Sequence, residues 1–263
     1  MNCQFWFGPN NSYFCVTAGG WVCSENTLPA AVFRVFIDEN HAQAMDTPRD
    51  VAFAVDEGSY MVRWTAKNGK NYKKIPVGSN YARLGRFVDS NNPTLTTFGP
   101  GFSYFSFSHT GCSWQNIPPA LEENIQNCMN VRRPACVALG VEGTYIVIFD
   151  DGTVTFDLQG KYPEAETIIQ NRAKRNGLGY IALSPFRAGH YYAVCRNGSS
   201  LWNLPASWKE QVTAVSKGIR AVGQKTASSA SSRKTQKVGW KEGLEMGVTV
   251  LNVAQAVMSL ANT

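Results

Sequence analysis

Cysteine and histidine are the residues of this chain whose side chains could support nucleophilic or metal chemistry. Seven cysteines lie at positions 3, 15, 23, 112, 128, 136 and 195 without a CxxC pair, and three histidines lie at 41, 109 and 190. A thiol enzyme needs a histidine within reach of its cysteine. Cys195 follows His190 by five residues, and residues five apart on a strand point to opposite faces. We therefore expect buried, apolar cysteines in a reducing cytoplasm, and no catalytic, cofactor or metal site.

Five aromatic residues recur once in each of five similar segments: Trp21, Tyr72, Trp114, Phe156 and Trp202. Aromatic rings stack on the faces of sugars, so these residues would suit a multivalent carbohydrate-binding protein, and they also pack well between neighbouring sheets. Their polar neighbours change from copy to copy. Because a sugar site repeated in every copy needs the same polar partners, the pattern favours packing and leaves sugar binding as the alternative.

A tyrosine that follows a small or polar residue marks each of these segments. The five are Tyr13, Tyr60, Tyr104, Tyr145 and Tyr191, and successive tyrosines are 47, 44, 41 and 46 residues apart. Seven residues after each tyrosine, or nine in the second copy, comes the glycine of a turn-forming pair: Gly19-Gly20, Asn68-Gly69, Thr110-Gly111, Asp151-Gly152 and Asn197-Gly198. Such pairs predict two-residue hairpin turns in which both central residues have positive φ.

Proline ends the strand pattern in each copy and predicts a helix after it. The pairs Leu28-Pro29, Ile75-Pro76, Ile117-Pro118 and Leu204-Pro205 follow the aromatic residue, while the fourth copy delays its proline to Pro163. Proline cannot continue a strand ladder but suits the first turn of a helix, and helical spacing of apolar residues begins there. With a short apolar segment ahead of each tyrosine, the sequence predicts a unit of three strands and one helix.

Five such units predict a closed ring. One unit is too small to bury its own apolar faces, so neighbouring copies must cover one another. The first and last copies are as aromatic as the middle ones, whereas an open stack needs polar end faces. We therefore expect a β-rich α/β repeat, a five-bladed propeller-like ring over residues 1–217, with repeats at about 3–45, 50–90, 94–131, 132–176 and 177–217. The alternative is an open solenoid.

The repeat G-x-Y … D/N-G-x-x-x-W-x-L-P resembles that of propeller-like repeat proteins of a fungal type, over roughly residues 3–217. The resemblance implies a propeller-like ring. The repeat differs from WD40 repeats, because no Trp-Asp dipeptide ends a strand and no Gly-His pair recurs. In architecture, one helix per unit is also similar to the five-fold α/β propellers of the pentein type. A pentein-like thiol enzyme acting through Cys195 is therefore a further hypothesis.

The C-terminal region differs in composition from the repeats. Seven basic residues and no acidic one lie between positions 217 and 241, whereas residues 1–216 are near neutral. We expect a flexible, basic, Ser/Thr/Lys-rich linker over 218–238 and an amphipathic helix over 239–263. The predicted interaction residues of that helix are Trp240, Gly243, Leu244, Gly247, Leu251, Ala254 and Met258. Polar residues within it argue against a membrane span.

The leading functional hypothesis is a cytoplasmic, non-enzymatic interaction or structural scaffold. In this hypothesis the ring is a rigid platform, and the tethered helix docks on another copy of the chain, on a protein partner or on a membrane surface. We expect homo-oligomers or a protein partner, possible peripheral membrane contact, and no specific nucleic acid. The alternatives are a lectin-like propeller, as in the tachylectins, with one sugar site per unit, and the pentein-like enzyme.

Overall fold

The computed structural model describes residues 3–219, apart from residues 19, 25–28, 57, 129–130 and 173–176. The predicted C-terminal helix, and with it every interaction residue from Trp240 to Met258, lies outside the described residues, as does the linker from residue 220 onward.

The strands of the described part form five antiparallel three-stranded sheets, and the strands of each sheet follow one another in the chain. Unit 1 contains β1 (Cys3–Gly8), β2 (Ser12–Thr17) and β3 (Gly20–Cys23), and unit 2 contains β4 (Met45–Phe53), β5 (Tyr60–Ala66) and β6 (Asn71–Lys74). Unit 3 contains β7 (Leu95–Phe98), β8 (Tyr104–Phe107) and β9 (Cys112–Gln115). Unit 4 contains β10 (Pro134–Leu139), β11 (Tyr145–Phe149) and β12 (Val154–Asp157), and unit 5 contains β13 (Leu178–Leu183), β14 (Tyr191–Cys195) and β15 (Ser200–Asn203).

A helix follows each sheet, so the predicted order of three strands and a helix is confirmed in all five units. The helices are α1 (Ala30–Ile37), α2 (Ala82–Ser90), α3 (Pro119–Cys128), α4 (Pro163–Arg172) and α5 (Lys209–Ser216). Short 3₁₀ turns at Ser79–Tyr81 and Ala206–Trp208 precede α2 and α5. Proline stands at or just before the start of four of the helical segments, where its missing N–H has no partner to lose.

The five repeat tyrosines occupy equivalent places. Each lies at the start of the middle strand of its sheet, and none is more than 7% exposed. The middle strand is covered on both faces by apolar neighbours, which explains why its residues are hydrophobic in succession and do not alternate with polar ones. The tyrosine spacing read from the sequence therefore locates the centre of every sheet.

Neighbouring units contact one another through their first strands and their helices. The first strands β1, β4, β7, β10 and β13 each contact the next, and β13 also contacts β1. Helices α1, α2 and α4 pack on strands of the following unit, and α5 packs on β2 and β3 of unit 1. In the cluster below α3, Leu121 and Ile125 are buried together with Val137 and Val147 of unit 4. Each apolar face is thus covered by another unit.

Aromatic side chains at three helix starts reach into the following unit. The rings of Tyr81 and Tyr104 of unit 3 lie 6.1 Å apart, and Trp208 packs 4.6 Å from Tyr13 of unit 1. The buried Tyr162 donates its hydroxyl to a backbone carbonyl of unit 5 at 2.7 Å. These contacts were not predicted, because Tyr81, Tyr162 and Trp208 stand at different distances from their prolines in the sequence.

The hairpins between middle and outer strands differ from the prediction. Asn68-Gly69, Asp151-Gly152 and Asn197-Gly198 lie in three-residue loops in which only the glycine has positive φ, at 78°, 87° and 89°. In each loop the Asn or Asp side-chain oxygen accepts a hydrogen bond from the backbone N–H two residues later, at 2.8–3.0 Å. The side chain thereby stabilises the turn, and the backbone of the Asn or Asp residue itself keeps a negative φ.

Two successive residues with positive φ occur instead in hairpins between first and middle strands. These pairs are Asn10-Asn11, Gly101-Phe102 and Glu142-Gly143. These loops also span three residues, and two successive residues with positive φ match the right-handed twist of the flanking strands. Phe102 and Glu142 are residues that local preference would not select for this conformation, so the turn is imposed on them by the strands on either side.

Gly140, which follows β10, offers a test of the contact between units 4 and 5. A Cβ atom at this position would lie 2.6 Å from the Tyr162 hydroxyl oxygen and also against Thr144. Because overpacking a core typically costs about 1–3 kcal/mol, we expect Gly140→Ala to lower the free energy of unfolding by that amount in urea titrations. At Gly111 an added Cβ meets nothing within 4 Å, so Gly111→Ala is the control and should change stability by less than ~0.5 kcal/mol. Equal effects would contradict the packing of Tyr162 against Gly140.

Candidate functional site

The five repeated aromatic residues lie half-buried on the outer strands β3, β6, β9, β12 and β15. Four of them stack on an aromatic residue of the adjacent middle strand. The stacked pairs, with centroid distances of 5.6–6.2 Å, are Trp21 with Phe14, Tyr72 with Trp64, Trp114 with Phe105 and Trp202 with Tyr192. Phe156 lies opposite Ile146 in the strand register. One face of each ring therefore packs on its own sheet.

Tyr72 is not equivalent to the other four aromatic residues. Trp114, Phe156 and Trp202 each lie opposite the residue that directly follows the repeat tyrosine. Tyr72 lies opposite Trp64, four residues after Tyr60, and so points to the same face of the sheet as the repeat tyrosine. Tyr72 follows its turn glycine by three residues, whereas Phe156 and Trp202 follow theirs by four, and a shift of one residue along a strand turns a side chain to the other face.

The helices cover part of the aromatic residues. The indole N–H of Trp114 donates to Glu122 Oε1 of α3 at 3.0 Å, and Trp21 meets the ring of Phe36 of α1 edge-on at 5.7 Å. A sugar would compete with these contacts for the same ring edge and the same donor. Sugar binding at the repeated aromatic residues stays a prediction.

Cys195 and His190 lie at opposite ends of the last middle strand. Cys195 is fully buried at the end of β14, whereas His190 precedes the strand, half-buried, with its ring 6.5 Å from Trp208. Burial and the charge of Arg187 lower the pKa of His190. Burial also raises the pKa of the Cys23 and Cys136 thiols to about 12, so those thiols are protonated at neutral pH. Thiol catalysis through Cys195 stays a prediction.

Unit 5 is joined to unit 1 by side-chain hydrogen bonds. The Tyr180 hydroxyl accepts from the backbone N–H of Phe5 and donates to the carbonyl of Phe5, both at 2.8 Å. Tyr13 donates its hydroxyl to Gln211 Oε1 at 2.6 Å. The Thr17 hydroxyl donates to the carbonyl of a residue in α5 at 2.8 Å. Ring contacts add to these bonds: Phe5 stacks on Tyr192 with centroids 4.7 Å apart.

The first strands of all five units line one narrow central space. Phe7, Ala52, Thr97, Val137 and Ile181, one from each first strand, are among its lining residues. Its volume is about 30 Å³, and one water needs roughly 10–15 Å³ measured in this way. The space therefore has room for roughly two or three waters and is too small for a larger ligand.

A larger cleft opens between units 3 and 4. It has a volume of about 350 Å³, within the usual range for ligand sites. Its walls include Pro100, Pro118 and Leu139, and the amide side chains of Asn116 and Gln159 are its larger polar groups. No charged residue lines it among those that the structure describes. This composition suits an uncharged ligand with hydrogen-bonding groups.

The two amides of the cleft are held by left-handed backbone conformations. Asn116 has φ of 49° and Gln159 of 47°, and the Asn116 amide donates to the carbonyl of Gly101 at 3.0 Å. Left-handed backbone is uncommon for Gln and costs free energy. The sequence did not predict this cleft, because its walls come from loops of two units and from residues outside the repeat.

Asp50 is the buried carboxylate among the described residues. It lies on β4 with 1% exposure, and neither of its oxygens has a well-formed hydrogen bond within the described part. Burial raises the pKa of Asp50 to about 7, although the charge of Arg63 and contact with Thr96 partly offset this. Arg63 lies opposite Asp50 across β4 and β5, but its guanidinium donates to the Pro93 carbonyl of the chain entering unit 3.

Comparisons with known proteins identify no relative of this chain. No protein-family model and no curated protein matches it. Among solved structures, the crystal structure of LS24, a seed albumin from Lathyrus sativus, matches with 8% sequence identity over 56% of this chain and 81% of that chain, at a TM-score of 0.28. At that similarity the match supports no conclusion about fold or function.

No three His, Cys, Asp or Glu side chains come together in the described part of the chain in a group that could hold a metal ion. Among its helices, none combines the length and the apolar character that crossing a membrane requires.

The buried carboxyl group predicts how stability depends on pH. The pKa of Asp50 rises on folding from 3.8 to about 7, so the folded chain binds the proton more tightly and the free energy of unfolding falls as pH rises from about 4 to about 7. At about 1.4 kcal/mol per unit of pKa, the loss is of the order of 4 kcal/mol. We expect Asp50→Asn to remove this decline in urea titrations between pH 4.5 and 8.

Asp46 provides the control for this prediction, since it lies on the same strand but is exposed. Asp46→Asn should keep the pH dependence of the wild-type protein. If Asp50→Asn shows the same slope as wild type, Asp50 is ionised in the folded chain at neutral pH and the prediction is wrong.

Proposed function

We propose that the five units close into a propeller-like ring, and that this ring is a non-enzymatic scaffold carrying a tethered attachment segment at residues 239–263. Support for closure comes from the first strands, whose contacts pass from β1 through β4, β7 and β10 to β13 and return to β1. The central space lined by all five first strands agrees with this arrangement. In an open solenoid the first and last units would not touch, and the five first strands would not surround a common space.

The bonds between units 5 and 1 carry the proposal. Tyr180 and Phe5, Tyr13 and Gln211, and Thr17 and Val215 are 175, 198 and 198 residues apart in the chain. In an open stack the surfaces bearing these groups would face solvent, and the buried aromatic residues between them would be exposed. A body closed in this way is a rigid platform, because every unit is held on two sides.

The scaffold function follows from how the repeated side chains are used. The repeat tyrosines and the outer-strand aromatic residues are engaged in packing within and between units. The described chain ends at Ile219, which packs against the hydrophobic cluster shared by units 1, 4 and 5. The residues that follow are thus attached at the contact between the last and the first unit, and we infer that they link the body to another copy, a partner or a membrane surface.

The attachment segment is tested by light scattering on the full chain and on a chain ending at Ile219, which keeps the packing of that residue. We expect the full chain to form larger species than the truncated one. In the full chain, Leu244→Asp with Leu251→Asp should abolish assembly, because charge disrupts an apolar interface. Thr249→Asp with Asn252→Asp, which add the same charge on the opposite face of the predicted helix, should leave it intact.

If the full and truncated chains have the same mass, self-assembly through this segment is excluded. If they also bind equally to protein partners and to lipid vesicles, the segment attaches the body to nothing, and the scaffold proposal fails. Circular dichroism of all variants shows whether the five-unit body is folded in each case.

Carbohydrate binding is the second candidate, and the cleft between units 3 and 4 is the observation that favours it. Sugar hydroxyls pair with amides that both donate and accept hydrogen bonds, and Asn116 and Gln159 offer two such groups beside apolar proline walls. This location differs from the predicted sites at Trp21, Tyr72, Trp114, Phe156 and Trp202, which line no part of the cleft.

Glycan-array binding tests this candidate and locates the site. For a site in the cleft, we expect Asn116→Ala and Gln159→Ala each to weaken binding about 5–10-fold, since each removes roughly one hydrogen bond of ~1 kcal/mol. Gln126→Ala, an exposed amide on α3, is the control and should bind as wild type does. Loss only on Trp202→Ala would place the site at the aromatic residues, and no binding to any glycan would exclude this function.

A further inference from the structure

Unit 2 carries a concentration of positive charge that the near-neutral total of the body conceals. Between Gly58 and Val88 there are seven basic residues and no acidic one: Arg63, Lys67, Lys70, Lys73, Lys74, Arg83 and Arg86. The acidic residues that balance them lie in the flanking parts of the chain. The net charge of residues 1–216 does not reveal this segment, because acidic residues on either side of it cancel its charge.

The structure places five of these residues on two elements of unit 2 that an ion pair joins, the outer strand β6 and helix α2; four of the five are exposed and Lys74 is half-buried. Lys70, Lys73 and Lys74 lie on or beside the outer strand β6, and Arg83 and Arg86 are exposed on α2. Lys73 Nζ lies 2.5 Å from Asp89 Oδ1 of α2, which ties the strand to the helix. We refer to Lys70, Lys73, Lys74, Arg83 and Arg86 as the basic rim.

Some charges of unit 2 are compensated and others are not. Arg63 donates to the Pro93 carbonyl, and Lys67 lies 3.5 Å from Glu39. In contrast, Lys70, Arg83 and Arg86 form no ion pair with any residue that the structure describes. Exposed charges of one sign that remain unpaired raise the local potential and attract anionic surfaces.

We propose that the basic rim binds the surface of an anionic lipid bilayer. An exposed edge strand and helix present a surface, which suits an extended anionic partner better than a small anion. The chain also contains six basic residues and no acidic one from Arg220 to Lys241, and then no charged residue from Met246 to Thr263. A bilayer matches both features, because anionic headgroups attract the basic residues and the lipid interior accepts the apolar ones.

Nucleic acid or an acidic protein would use the basic residues alone. Single-stranded nucleic acid would also need aromatic rings free to stack on bases. Tyr72, the aromatic residue of β6, instead stacks on Trp64 with centroids 5.7 Å apart, and its hydroxyl accepts from Asn68 at 3.2 Å. The inference rests on the proposed function, since it names the surface to which the attachment segment links the body.

The basic rim and the C-terminal segment would act as two separate membrane attachments, which explains why basic residues occur on the body as well as in the C-terminal region. One weak membrane attachment gives only marginal, reversible binding, and a second one stabilises it. A basic rim on a rigid unit would fix the orientation of the body on the bilayer, which a tethered segment alone does not do. The rim would therefore set which face of the scaffold remains open to a partner.

Vesicle flotation with the full chain tests the proposal, because assemblies of protein alone sink and bound protein floats. The vesicles contain phosphatidylcholine with 30% phosphatidylserine, or phosphatidylcholine alone, at about 0.1 M salt. The rim variant carries Lys70→Gln, Arg83→Gln and Arg86→Gln. The control variant carries Arg34→Gln, Arg187→Gln and Lys209→Gln, which remove the same charge from exposed positions elsewhere.

We expect the wild-type chain to float with the anionic vesicles and much less with the neutral ones. Each basic residue near an anionic surface strengthens binding about fivefold, so the rim variant should partition roughly a hundredfold more weakly. The control variant should weaken binding by less than about fivefold. Raising the salt concentration should reduce wild-type flotation, because screening shortens the reach of the charges.

Several outcomes would overturn the proposal. The rim and control variants could lose binding equally, the wild-type chain could float equally with neutral vesicles, or it could bind single-stranded RNA while ignoring vesicles. If Leu244→Asp with Leu251→Asp abolishes flotation but the rim variant does not, the attachment segment stands and the rim is excluded. Aggregation of the rim variant without loss of vesicle binding would also overturn it, since the substituted basic residues would then only keep copies of the chain apart.

Discussion

The apolar faces of each three-stranded unit are covered by other units, and the rest of the structure depends on this constraint. A unit of this size cannot exclude water from both of its faces. The hydrophobic clusters accordingly extend across unit boundaries: one joins units 1, 4 and 5 and includes Leu95 of unit 3, and another joins units 3 and 4. Helices pack on the sheet of the following unit for the same reason. Stability is therefore a property of the contacts between units.

The contact between unit 5 and unit 1 shows how the first and last units satisfy this constraint. As an edge strand, β1 has backbone groups without a partner strand, and such groups are costly to bury. The Tyr180 hydroxyl pairs with both the N–H and the carbonyl of Phe5. Because loop-closure entropy grows only slowly with chain length, joining residues so far apart costs little more than joining neighbouring units.

The surfaces available for binding lie where the units differ from one another. The shared residues, the repeat tyrosines and the outer-strand aromatic residues, are engaged in packing. The cleft between units 3 and 4 includes Asn116 and Gln159, and the basic rim belongs to unit 2, which has the longest middle strand. Packing requires the same residue types in every unit, whereas binding requires only that one unit departs from them. The two surfaces that we propose for binding are such departures from the repeat.

The sequence by itself determined the number of units, the order of their strands and helices, and the position of every middle strand, because those depend on local patterns of tyrosine, turn pairs and proline. Only the tertiary structure decided the turn types, the face on which Tyr72 lies, the burial of Asp50 and the cleft. Each of these depends on groups distant in the chain: Phe102 adopts positive φ because two strands impose it, and Asp50 is buried because unit 3 packs against β4. Local preference cannot report such contacts, since they exist only after the units have packed together.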